Sequence, residues 1–105
     1  MDAEETSGRI SEPLDIKREE GETKGRYFVL LDGHEAEMTY SRAGAKLIII
    51  DHTGVPDALT GRGVGAALVR RGVEDARAEG RKIVPLCPFA KAQIARHPEW
   101  RDVLQ

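Results

Sequence analysis

The chain has 105 residues, 40% of them apolar and 32% charged, with a formal net charge of −2, a length and composition that suit one hydrophobic core and exclude several domains. So small a net charge excludes a bulk binder of nucleic acid, and a single cysteine, Cys87, excludes the intrachain disulfide framework of small secreted proteins and suits a reducing cytoplasm. The longest apolar run, residues 47–50, is far too short to cross a bilayer, and the acidic start Met1-Asp2-Ala3-Glu4-Glu5 lacks the basic and apolar regions of a secretion signal, so no membrane partner is expected.

Residues 1–13 are polar and aperiodic, broken by Ser7-Gly8 and Glu12-Pro13, and predict a mobile tail ahead of one folded domain over residues 14–105. Through Gly25 the chain carries eight acids and four bases; the remainder carries ten acids and twelve bases, so an anionic ligand belongs with the later part. Leu14, Ile16 and Arg18 alternate with charged neighbours, and residues 26–31 are rich in aromatic and branched side chains. Two antiparallel strands about the turn-like Glu20-Gly21-Glu22 follow. Asp32-Gly33 signals a two-residue hairpin whose central positions need positive φ, and residues 34–40 place Ala36, Met38 and Tyr40 on the buried face of a third strand. After Arg42-Ala43-Gly44, residues 46–53 read as a central strand covered on both faces, ended by Val55-Pro56.

From Arg62 the period becomes helical, with Gly65, Leu68, Val69, Gly72, Val73 and Ala76 on one face and Gly80 as the stop. Residues 82–87 form a short fifth strand, parallel to the fourth because a crossover helix joins them. Pro88 opens a brief second helix, Pro98 lies beyond its end, and Trp100, Val103 and Leu104 form an apolar cap. The fold class is α+β: a mixed sheet of antiparallel N-terminal strands and one parallel pair.

The segment Gly61-Arg62-Gly63-Val64-Gly65 joins a buried strand to an amphipathic helix. A helix start leaves amides unpaired and carries roughly half a positive charge, and glycines let a phosphate approach. A glycine turn that merely packs the helix on the sheet explains the same residues, and both readings stand. The Lys-Ser or Lys-Thr pair of a mononucleotide P-loop is absent, since Ala66-Ala67 follows Gly65, and the contexts of a dinucleotide fingerprint and of a KH-type RNA loop are missing too. Cys87, just before a helix, is either a thiol activated by the helix field or a small buried hydrophobe. His52, at the end of the central strand on the face opposite Asp51 and Thr53, is either a general base or a satisfied strand-end imidazole. His34 and His97 read as structural, Trp100, Phe89 and Tyr27 as core, and Arg70, Arg71 and Lys91 as a solvated helix face or as ligands of a ribose phosphate. One cysteine and three scattered histidines make no metal site.

The spaced series Ile50-Asp51-His52-Thr53, Val55-Pro56, Gly61-Arg62-Gly63-Val64-Gly65 with Leu68-Val69, Val84-Pro85-Leu86-Cys87-Pro88-Phe89 and Arg96-His97-Pro98-Glu99 resembles the short single-domain branch of the GNAT superfamily of acetyl-CoA-dependent N-acetyltransferases. The resemblance implies splayed fourth and fifth strands with acetyl-CoA between them. It implies backbone contacts from Thr53, Gly54 and Val55 to the pantetheine, the Val55 N–H on the acetyl carbonyl, and a pyrophosphate cradle at Gly61, Arg62, Gly63, Val64 and Gly65. Cys87 becomes the favoured catalytic candidate, and His52, close in sequence to the expected acetyl site, remains the candidate base. Thr60 and Gly54 depart from the pattern, which commonly has Arg or Gln at the first position and an acid at the second. The two helices that larger members place between their first strands are missing, which implies an open site for a primary amine, on a small molecule, a protein or another large molecule. The chain is expected as a monomer or weak oligomer. A non-catalytic module binding acetyl-CoA or CoA is the alternative, and a small interaction domain without a nucleotide ligand is a third reading.

Overall fold

The computed structural model describes residues 14–105; the tail expected over residues 1–13 lies outside them. Five strands, β1 (Lys17–Glu20), β2 (Lys24–Leu31), β3 (His34–Arg42), β4 (Leu47–Gly54) and β5 (Lys82–Pro85), form one sheet in that order. The first four are antiparallel neighbours and β5 runs parallel to β4, as a crossover connection requires. The crossover is helix α1 (Val64–Glu79); α2 (Pro88–Ala95) and a 3-10 helix over Pro98–Val103 complete the chain.

Local chemistry explains the turns. Asp32 (φ 52°) and Gly33 (φ 78°) both occupy the left-handed region that the two-residue hairpin requires. Side chains then alternate as expected: Tyr27 and Val29 of β2 oppose Met38 and Ala36 of β3, all at most 1% exposed. At Gly25 the Tyr40 ring fills the space a side chain would need, 2.4 Å from where a Cβ would sit. Glycine at Gly72 likewise lets α1 approach the sheet, since the Met38 methyl group would lie 2.8 Å from a Cβ there.

Three boundaries and the covering of one strand differ from the sequence reading. The first strand begins at Lys17, although Leu14 and Ile16 still pack on the core. The fourth strand is covered on one face only: Ile48 and Ile50 are buried while Leu47 and Ile49 are half-buried, because both helices lie on the same side of the sheet. The main helix begins at Val64 rather than Arg62, because Gly61 (φ 82°) and Gly63 (φ 76°) adopt left-handed conformations that a right-handed helix cannot include. The fifth strand ends at Pro85 rather than Cys87; Pro98 lies beyond the end of α2 as expected and opens the 3-10 helix.

Helix α1 closes at Gly80 (φ 70°), where the Arg81 N–H donates back to Ala76 O at 2.9 Å. Around that end an ionic cluster ties β1 to the helix and to the head of β5. The Arg18 guanidinium donates to Glu79 Oε2 (2.6 Å), Glu20 Oε1 (2.8 Å) and the Tyr40 hydroxyl (3.1 Å), and Arg81 Nη1 donates to Glu20 Oε1 (2.9 Å). The buried Tyr27 hydroxyl donates to Asp75 Oδ2 at 2.8 Å. At the sheet's edges, β1 presents only four residues, and β5 is flanked by the C-terminal segment, where the Gln105 N–H donates to Ile83 O (3.1 Å).

Candidate active site

Strands β4 and β5 are partners from Leu47↔Lys82 to Ile50↔Pro85 and then part. Both the Leu86 and Cys87 N–H groups converge on Ile50 O (3.1 and 3.0 Å), which marks the point of separation. Beyond it β4 continues to Gly54 with β3 as its strand partner on one edge and, among the described residues, none on the other. Backbone groups on that second edge are therefore offered to a ligand or to water, because an unpaired strand edge presents its N–H and C=O groups.

A register shift sits at the same place. Tyr40 opposes Ile50 but Thr39 opposes His52, so Asp51 is an extra residue in β4. Residues opposed in an antiparallel pair share a face, so Thr53, opposite buried Met38, faces the helices, and His52, opposite Thr39, faces the uncovered side. The Asp51 carboxylate accepts from Ser41 Oγ (3.0 Å) on that uncovered side. His52 and Thr53 thus lie on opposite faces, as simple alternation predicts, but Asp51 joins His52 rather than Thr53, because the bulge breaks the alternation.

The bulge brings Thr53 to Cys87, whose thiol, 5% exposed, donates to Thr53 Oγ1 at 3.5 Å. Cys87 does not close a strand; it is the N-cap of α2. Burial pushes its thiol pKa up, but the Thr53 hydroxyl and the Ala90 and Phe89 amides in the first turn of α2 favour the thiolate more, leaving the pKa below the ordinary 9.0. His52 is exposed, its ring lying against the backbone of Gly54, where Nε2 would be 3.0 Å from a Cβ. The two catalytic candidates are accordingly not a touching pair.

The open end of the cleft leads to a hollow of about 250 Å³ at the head of α1, lined by Val55, Thr60, Gly61, Gly63, Gly65 and Phe89 among others. The first amides of the helix, at Val64, Gly65 and Ala66, have no carbonyl one turn earlier within the helix to bond. Gly63 supplies no side-chain cap that would occupy them. Glycine at Gly65 is demanded by packing: a Cβ would come within 2.8 Å of the Phe89 ring and 3.3 Å of Val55 Cγ2. A cradle of bare backbone with free amides, opening onto an unpaired strand edge, fits a pyrophosphate followed by an amide-bearing arm.

Of the sequence candidates, Val55, Gly61, Gly63, Val64 and Gly65 line this hollow, and Thr53 and Gly54 lie on the free edge leading to it. Arg62 does not line it; its guanidinium turns away and donates to Asp32 Oδ2 (2.6 Å). Phe89, read from sequence as core, is 39% exposed and forms a wall of the hollow with Gln93 and Leu59. The signal for Phe89 was its place one residue after Pro88, in the first turn of a helix facing a glycine. Tyr27 and Trp100 are buried as expected. Arg71 bonds Asp75 and Ile16 O, Arg70 lies 5.3 Å over the Trp100 ring, and His97 stacks on the same ring at 3.9 Å. A broader depression of about 510 Å³ beside Gly21 and Arg26 lies toward the opposite end of the strands, and Arg26 there is already engaged by Glu19 (3.0 Å) and Glu37 (2.9 Å). Among the described residues no cluster of three or more His, Cys, Asp or Glu is placed to hold a metal, and no helix is long and apolar enough to cross a membrane.

The profile of the GCN5-related N-acetyl-transferase family matches residues 26–103. The chain is similar to a GCN5-like candidate N-acetyltransferase from Staphylococcus aureus solved in solution by NMR, with 39% identity, a TM-score of 0.67 and 88% of each chain covered. No curated protein matches.

Proposed function

The chain belongs to the GCN5-related N-acetyltransferase family, and we propose that it transfers the acetyl group of acetyl-CoA to a primary amine. The observation that carries the reading is the parting of β4 from β5 beyond Ile50 and Pro85, directly beside a glycine-lined hollow at a helix head. Bound acetyl-CoA supplies an acyl thioester as the electrophile. The amides of Gly61, Arg62, Gly63, Val64 and Gly65 hold its pyrophosphate, and the free edge at Thr53 and Gly54 orients the pantetheine arm. The Val55 N–H is the donor toward the acetyl oxygen, stabilising the charge that develops there.

As the amine nitrogen bonds the acetyl carbon and the carbon–sulfur bond breaks, Cys87 Sγ provides the proton for the departing thiolate, with Thr53 Oγ1 holding the thiol in place. His52, on the uncovered face, takes the proton lost by an amine arriving from that side. This division favours direct transfer over an acetyl-cysteine route. The acceptor side is open, since β1 and β2 are joined by a three-residue turn, and it suits an amine carried on a large molecule.

Titration calorimetry with acetyl-CoA, followed by acetyl transfer to a panel of free and peptide-borne amines, tests the reading. One-to-one binding with turnover, lost in Cys87→Ala while affinity persists, is the expected result. Binding without turnover on any amine would make the chain a CoA-binding module, and no binding at two temperatures would overturn the cofactor assignment.

A further inference from the structure

We propose that Asp32, in the β2–β3 hairpin, is a positioning residue for cofactor binding, holding the turn at the head of α1 through Arg62 in the conformation that presents its amides. The inference rests on the cofactor reading above. Arg62 stands between two glycines in left-handed conformations (φ 82° and 76°), the residues with the greatest backbone freedom, and Gly63 adds no side-chain cap. The turn therefore has little stiffness of its own. Its side-chain tether is the bond from Arg62 Nη1 to Asp32 Oδ2, 2.6 Å long and spanning 30 residues of sequence.

The far end of that tether is rigid. Asp32 occupies a two-residue hairpin between strands paired from Lys24↔Ser41 to Leu31↔His34, so its backbone has almost no room to move. Because the guanidinium points at the hairpin and not into the hollow, the Arg62 side chain works as a strut rather than as a phosphate ligand. Pairing also neutralises a carboxylate that would otherwise repel a pyrophosphate nearby. The pair is partly exposed, with side-chain accessibilities of 39% for Arg62 and 66% for Asp32, which sets a modest scale for the effect.

The test uses the full chain and acetyl-CoA. Asp32→Asn keeps a residue suited to the hairpin and removes only the charge, so the fold is retained. The expected result is a dissociation constant raised about two- to fivefold, with kcat and the thermal midpoint unchanged and amide hydrogen exchange accelerated at Arg62, Gly63 and Val64. Arg62→Gln, which keeps the backbone amide, should raise the dissociation constant by a similar factor, and the double variant should bind no worse than either single one, because each weakens the same strut. Unchanged binding in Asp32→Asn overturns the proposal. Tighter binding also overturns it and identifies Asp32 as a repelling charge; additive losses overturn it by placing Arg62 on the ligand. A wild-type chain that binds no acetyl-CoA overturns the cofactor reading and the positioning role together, a failure visible before any substitution is made.

Discussion

The two ends of helix α1 solve opposite problems. Its C-terminal end is saturated with partners: Arg18, Glu20, Glu79 and Arg81 bond one another, and Tyr27 and Tyr40 thread their hydroxyls into the same cluster. Its N-terminal end is stripped of them, with glycines where caps would stand and a strand edge left without a neighbour. One rigid rod is thus clamped at one end and presents unsatisfied backbone at the other. Stability and ligand affinity should be separable by substitution, because they depend on different ends.

The sharpest way to break that separation is at the clamped end. Tyr27→Ala removes a fully buried ring and its bond to Asp75 and should cost about 3–5 kcal/mol in urea unfolding, while variants that still fold keep their affinity for acetyl-CoA. At the open end, Gly65→Ala should weaken acetyl-CoA binding about tenfold or more in calorimetry, with a smaller stability loss of about 1–3 kcal/mol. Adding Phe89→Leu should recover part of both, since the ring is the atom group in the way.

Acid should act on the clamp first. Arg81, Tyr40 and Arg18 hold the Glu20 carboxyl below its ordinary value of 4.5 against the opposing effect of burial, and Arg18 does the same for Glu79. A folded-state pKa below the unfolded one stabilises fully above 4.5 and is lost as pH falls through the folded value. The urea midpoint should therefore drop between pH 6 and pH 3, and Glu20→Gln should lower it at pH 6 while flattening that decline. The smallest effect expected is at the cleft: Thr53→Val should raise the pH at which Cys87 ionises, read as thiolate absorbance, because it removes the hydroxyl that favours the thiolate.

Much of this architecture was legible in the residues because it is local. Asp32-Gly33 dictated its turn, the alternation of Ala36, Met38 and Tyr40 dictated a buried face, and the period from Gly65 to Ala76 dictated which side of α1 meets the sheet. Even Arg18 shared its alternation with Leu14 and Ile16. What escaped is what depends on distant chain. Arg18's partner Glu79 lies 61 residues away, and nothing near β1 names it. The Asp51 bulge depends on the register of β3 and decides that Thr53, and not His52, reaches Cys87. Cradle glycines could be found by spacing, but the turn of Arg62 toward Asp32 and the exposure of Phe89 needed the packed structure.

The narrow margins of the sheet bear on how the molecule behaves in a crowd of its own kind. On one side lies β1, four residues reading Lys-Arg-Glu-Glu; on the other, the C-terminal segment already bonds Ile83. A short, highly charged margin and a covered one are poor templates for strand addition, so growth of the sheet from copy to copy, the first step toward fibrils, is disfavoured at both sides. The edge of β4 beyond Ile50, by contrast, lies inside the sheet order, between β3 and the departing β5, and not at either margin.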